Sequence, residues 1–178
     1  MLARHEAVAL LPDDLDVAEA APLLCAGITT FNALRNSGAR AGDLVGVLGI
    51  GGLGHLGIQS ASRVGFRTVA LSSGADKEPL ARELGAHEYV DTSKTTAAEG
   101  LQKLGGAHLV LATAPHAGAI ASVVDGLAPR GKLLIVAAPH EPISVSAFSL
   151  LSGKSVAGWP SGTSIDSEET MAFSARAG

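Results

Sequence analysis

The stretch Val45-Gly-Val-Leu-Gly-Ile-Gly-Gly-Leu-Gly-His-Leu-Gly-Ile-Gln59 decides how this chain is read. Five glycines fall between Gly49 and Gly57, directly after a short apolar run. Within it, Gly49-x-Gly51-x-x-Gly54 closes a predicted strand over 44–48 and opens a predicted helix over 53–64. Each glycine has a physical task in a dinucleotide site. The first permits a tight turn, the second lets backbone N–H groups approach a pyrophosphate, and the third allows close helix–strand contact. The helix N-terminus adds a partial positive charge. Leu53, Leu56, Gly57, Ser60, Ala61 and Val64 share one face of that helix, the spacing needed to lie on a sheet.

Outward from this turn, short apolar runs alternate with helical patterns. Strands are predicted at 44–48, 68–71, 88–90, 109–112, 133–137 and 155–159, and helices at 53–64, 76–84, 96–104 and 116–127. Gly65, Gly85 and Gly131 stand where helices should stop. This alternation predicts βαβ units and one parallel sheet, a doubly wound Rossmann fold of six strands with helices on both faces. Before it, residues 6–10 read as extended, Pro12-Asp13-Asp14 as a turn, and 17–24 and 27–36 as helices. A last helix is expected over 167–175. We divide the chain into 1–42, the edge of another domain with its connecting helices, and 43–178, the dinucleotide-binding domain.

Composition agrees. Of 178 residues, 47% are hydrophobic and 17% charged, which suits a sheet buried on both faces. A net charge of −4 without a basic cluster argues against nucleic-acid binding. No apolar run reaches the ~20 residues that span a bilayer, so no membrane partner is expected. The single cysteine, Cys25, excludes an internal disulfide and points to a reducing cytoplasm.

About twenty residues past the glycines, dinucleotide sites usually carry Asp or Glu for the ribose hydroxyls. Here the window reads Ala70-Leu-Ser-Ser-Gly-Ala-Asp-Lys77. Ser72 and Ser73 with Lys77 suit a 2′-phosphate: donors, one cation and no repulsion. NADP is therefore the expected cofactor and NAD the alternative. Asp76 is read as the cap of the next helix, and Glu168-Glu169 as a solvated helix face.

The stretches 21–30 (Ala-Pro-Leu-Leu-Cys-Ala-Gly-Ile-Thr-Thr), 42–45, 49–57, 84–86, 131–133 and 158–162 (Gly-Trp-Pro-Ser-Gly) together resemble one family. It is the zinc-dependent alcohol dehydrogenases of the medium-chain dehydrogenase/reductase superfamily, with the cinnamyl-alcohol-dehydrogenase-like branch most similar. The resemblance implies hydride transfer between a primary alcohol or aldehyde and NADP. It implies that Cys25 is one ligand of a catalytic zinc and that Thr29 lies near the nicotinamide. It assigns Gly49, Gly51, Gly52, Leu53 and Gly54 to the pyrophosphate, and Ser72, Ser73 and Lys77 to the 2′-phosphate. Thr113, Ala114, Val136, Ala137, Ala138, Trp159 and Pro160 would line the nicotinamide pocket.

The other zinc ligands of such enzymes come from an N-terminal catalytic domain whose motifs do not occur here, so zinc is implied only for a full-length protein. None of His5, His55, His87, His108, His116 and His140 is assigned to metal, because no two share the i, i+4 spacing. This chain by itself is expected to show little or no dehydrogenase activity. Alternatives are a zinc-free quinone or enoyl reductase of the same superfamily, against which Cys25 argues, and a non-catalytic nucleotide-binding module. A methyltransferase is disfavoured by the missing acidic residue after the second strand. A sixth strand left uncovered would pair with a second copy, giving a homodimer.

Overall fold

The computed structural model describes residues 2–177. Six strands form one parallel sheet: β1 Leu44–Leu48, β2 Arg67–Ser72, β3 Glu88–Asp91, β4 Ala107–Ala112, β5 Leu127–Ile135 and β6 Ser155–Gly158. Their order is β3-β2-β1-β4-β5-β6, with every pairing parallel. This is the doubly wound order, whose chain reversal beside β1 opens a crevice at the carboxyl ends of the strands.

The apolar alternation of the strands divides the core in two. Leu44 and Leu48 join Val69, Leu71, Val110 and Leu133 on one face. Val45 joins Leu109, Leu111 and Leu134 on the other, where Val47 meets Ala70. The first face is covered by α5 (Ala97–Lys103) and α6 (Ala117–Ser122), through Leu101 and Ile120. The second is covered by α2 (Ala26–Arg35), α3 (Gly52–Val64) and α4 (Glu78–Glu83), through Leu34, Ala61 and Ala81. Ala33 and Leu34 of α2 are completely buried in the same cluster as Val45, so that helix is built into the sheet's core. A terminal helix, α8 (Ser164–Ala177), stacks Phe173 on Phe31 of α2 at 4.3 Å.

Local chemistry explains most boundaries. Thr96 and Glu99 exchange side-chain and backbone hydrogen bonds in a capping box that starts α5. Gly65 and Gly85 follow α3 and α4 with φ of +96° and +101°, the left-handed conformation expected of them.

Several expectations are corrected. Residues 6–10 form no strand: a 3₁₀ turn spans His5–Ala7, and the Leu10 N–H bonds to the Glu168 carboxylate (2.9 Å) instead of a neighbouring strand. Helix 17–24 is two pieces, α1 (Val17–Ala20) and a 3₁₀ turn at Ala21–Leu24, divided at Pro22, whose ring has no N–H to continue the first. Helix 116–127 stops at Ser122 and gives way to a 3₁₀ turn at Val124–Gly126, and the next strand begins at Leu127.

Gly131 ends no helix. It lies inside β5, where a Cβ would sit 2.7 Å from the Ala107 carbonyl and 2.8 Å from that of Ala128. Asp76 does not cap α4; Lys77 occupies that position, without a side-chain bond. The short helix α7 (Ala147–Leu150) had no sequence signal. Glu169 is solvated as expected, and both carboxylates also act as tethers: Glu168 accepts from the Leu10 N–H, and Glu169 pairs with Arg35.

Candidate functional site

The carboxyl edge of the sheet gathers residues from five loops into one line. Leu48 is in register with Leu71 and Ala112, Ala112 with Ile135, and Ile135 with Gly158. One residue further on, the ladder continues. The Gly49 N–H bonds to the Leu71 carbonyl, Thr113 to Leu48, Val136 to Ala112 and Trp159 to Ile135. Ser72, Gly49, Thr113, Val136 and Trp159 therefore form a transverse row, with neighbouring strands about 4.8 Å apart.

At the centre of the row the glycines have distinct tasks. Gly49 turns the chain at φ +94°, and a Cβ there would lie 2.9 Å from that of Ala114. Gly54 is the tightest position: a Cβ would come within 2.0 Å of the Gly49 carbonyl oxygen. Gly51 and Gly52 are different, since a Cβ on either would meet nothing within 4 Å. Internal packing does not require glycine there; an incoming group would. Gly51 is the N-cap of α3 and offers no capping side chain, so the N–H groups of the first turn carry no side-chain cap and could take a ligand's acceptors. The Thr113 hydroxyl donates to the Leu48 carbonyl (2.8 Å) and fixes the base of the turn.

A cleft of about 560 Å³ opens above this turn. Gly49, Gly51 and Gly52 form its floor, Ser72, Ser73 and Lys77 one wall, and Thr113, Ala114 and His116 the other. Among the residues singled out from sequence, Leu53 and Gly54 lie just beyond it in α3, and the walls do not extend to Val136, Ala137, Ala138, Trp159 or Pro160. Those five continue the carboxyl edge as two later strand ends, with Val136 and Trp159 packed against the Leu34–Leu134 cluster.

The 72–77 loop is held by residues that sequence reasoning passed over. The Gly74 N–H donates to Asp91 (2.8 Å), and the Tyr89 hydroxyl donates to the Gly74 carbonyl (2.6 Å). Asp91 is the register partner of Ser72 and accepts from the hydroxyl (2.6 Å) and N–H (2.9 Å) of Ser93. Those Ser93 bonds, then the Gly74 N–H, lower its pKa to about 2. Burial raises that of Tyr89. The available signal was the carboxylate at the strand end followed by Thr92-Ser93, a turn-forming triplet. His116 caps α6, its Nδ1 accepting the Ala119 N–H (3.2 Å), and His55 lies 3.1 Å from the Gly51 carbonyl through Nδ1.

At the other end, Cys25 is a free, exposed thiol at the junction of the 3₁₀ turn and α2. No three His, Cys, Asp or Glu among the described residues converge as a metal site, so Cys25 with its surroundings does not itself fit a zinc ion. One helical turn on, Thr29 is buried, and its hydroxyl lies 2.6 Å from that of Ser161.

The family model for zinc-binding dehydrogenases matches residues 52–176. Over 96% of this chain there is 46% identity to the alcohol dehydrogenase patD of Penicillium expansum, and over 95% there is 37% identity to an alcohol dehydrogenase of Geobacillus stearothermophilus. In both cases the chain spans about half, 50%, of the relative's length. A cinnamyl alcohol dehydrogenase of Sorghum bicolor superposes with a TM-score of 0.85 at 27% identity, over 95% of this chain and 48% of that one.

Proposed function

Since the chain belongs to the zinc-binding dehydrogenase family, we propose that it is the NADP(H)-binding half of an alcohol dehydrogenase acting between a primary alcohol and its aldehyde. The observation that carries this reading is the empty space above Gly51 and Gly52, set over an uncapped helix start in the middle of the carboxyl-edge row. A pyrophosphate there would take its N–H donors from the first turn of α3. The two halves of the dinucleotide would then run in opposite directions along the edge. The adenosine half lies toward Ser72, Ser73 and Lys77, whose hydroxyls and ammonium suit a 2′-phosphate. The other half runs over Thr113 and Ala114 toward Val136, Ala137, Ala138, Trp159 and Pro160.

Bound nicotinamide supplies the acceptor or donor of a hydride. The residues of this chain orient it: Thr113 locks the turn beneath it, and Thr29 stands at its far end. Cys25 would give one thiolate to a zinc ion whose remaining ligands come from elsewhere in a full-length protein, and we therefore expect no turnover from this chain by itself. Exposed Leu10, Val17 and Leu24 lie in the same N-terminal region and would pack against that remainder. Exposed Phe148 and Leu151 precede the open edge of β6, where a second copy would continue the sheet into a homodimer. The free thiol favours a cytoplasmic setting.

A fluorescence titration of the purified chain with NADPH and with NADH tests the reading. Saturable binding, tighter for NADPH, is expected. Equal affinity would leave the cofactor site and remove the NADP preference; binding of neither would overturn both.

A further inference from the structure

Ser161 has no role in the reading above, yet it is tied to α2 by contacts that cross most of the chain. Its hydroxyl is 2.6 Å from that of Thr29, and its carbonyl accepts from the Asn32 side chain at 2.9 Å. The next residue, Gly162, is pressed so close that a Cβ would sit 2.8 Å from Asn32 Nδ2. Asn32 is held in turn, its Oδ1 accepting from Arg35 Nε at 2.9 Å.

The contrast with Thr30 is informative. The Thr30 hydroxyl bonds back to the Ala26 carbonyl of its own helix (2.9 Å), as threonines in helices commonly do. The Thr29 hydroxyl turns away from its helix to Ser161. Ser161 follows Trp159, the last member of the carboxyl-edge row, by two residues. The pair therefore joins the far end of that row to the helix that begins at Cys25.

We propose that Ser161 is a positioning residue: its hydroxyl fixes the Thr29 rotamer and with it the nicotinamide end of the site. This rests on the dinucleotide reading. Only a ligand that reaches past Thr113 would feel the pair; an adenosine fragment confined to the Ser72–Lys77 end would not.

The test is a titration of the wild-type chain, S161A, S161T and T29V with NADPH and, separately, with 2′,5′-ADP. Heat of binding, by isothermal titration calorimetry, is the readout for both ligands, since the walls around Ser72, Ser73 and Lys77 do not reach Trp159. Ser161→Ala is expected to weaken NADPH about fivefold, the size of one lost hydrogen bond, and to leave 2′,5′-ADP unchanged. Ser161→Thr keeps the hydroxyl and should restore most of the loss. Should Ser161→Ala fail to fold, Thr29→Val removes the same bond from the other side and should show the same selective loss. Unchanged NADPH affinity in both variants, or equal weakening of the two ligands, overturns the proposal and leaves the dinucleotide reading standing. Wild-type binding of 2′,5′-ADP with no gain from the rest of NADPH also overturns it. If the wild type binds neither ligand, the dinucleotide reading fails and the proposal fails with it.

Discussion

The two ends of the carboxyl edge are built in different ways. The Gly49–Lys77 end is local: one turn, one helix start and one loop, drawn from fewer than thirty consecutive residues and braced by β3 next door. The Cys25–Ser161 end is assembled across the chain, by bonds such as Thr29–Ser161 and Asn32–Ser161 that span 132 and 129 residues. The first end has a walled cleft; at the second, Cys25 is an exposed thiol with no companion ligand among the described residues. Most of the cleft comes from one local motif, completed by a wall of Thr113, Ala114 and His116, whereas the Cys25–Ser161 end is built only from groups brought together across the chain.

Two glycines three residues apart, Gly51 and Gly54, separate folding from binding at the local end. Gly54→Ala drives a methyl into the Gly49 carbonyl, backbone that cannot rotate away. We expect about 3 kcal/mol of destabilisation, read as a fall of roughly 6–12 °C in Tm by calorimetry. Gly51→Ala points its methyl into open space with φ at −110°, which alanine tolerates. Tm should stay within about 1 °C, while NADPH affinity falls at least tenfold, about 1.4 kcal/mol or more. A Gly51→Ala chain that binds normally would show that the space above α3 is not the pyrophosphate site.

The same division explains what the sequence disclosed. The turn, the six strands and most of the helices, though not α7, were legible because glycine spacing and apolar periodicity are written in consecutive residues. Helix ends at Gly65 and Gly85 were legible for that reason too. Gly131 misled because a glycine can be bare for a distant carbonyl as well as for a positive φ, and only the fold brings Ala107 beside it. Asp91 and Tyr89 escaped notice because they act on Gly74, 17 and 15 residues away. The tethering by Glu168 and Glu169 was not legible because their partners, Leu10 and Arg35, are far off in sequence.

Lys77 tests which cofactor the local end prefers. Lys77→Ala should weaken NADPH about tenfold by removing one charge-assisted contact, and should leave NADH unchanged in parallel titrations. Equal loss for both would move Lys77 from the 2′-phosphate to the shared part of the nucleotide.

At the assembled end, Arg35 is the corresponding probe. Its guanidinium bonds Asp166 (2.5 Å) and Glu169 and lies 5.5 Å over the Phe31 ring, joining α2 to α8. The pairs are partly exposed, so Arg35→Ala should cost only about 1 kcal/mol, a fall in Tm of roughly 2–4 °C. Adenosine-fragment binding should not change, because the contact is on the other side of the division.

The smallest effect is expected at Asp91, and its sign is fixed by linkage. The folded-state pKa, about 2, lies below the ordinary 3.8, so the carboxylate contributes stability above pH 4 that is lost as pH falls toward 2. Asp91→Asn keeps an acceptor for Gly74 and removes the titrating group. Wild-type Tm should drop more steeply than that of the variant between pH 4 and pH 2, with the two curves running parallel above pH 5. Because Asp91 holds the 72–77 loop and nothing at the Ser161 end, the variant's NADPH affinity should respond before its Tm does. Identical acid slopes in the two proteins would mean that ionisation of Asp91 does not contribute to the stability lost in acid.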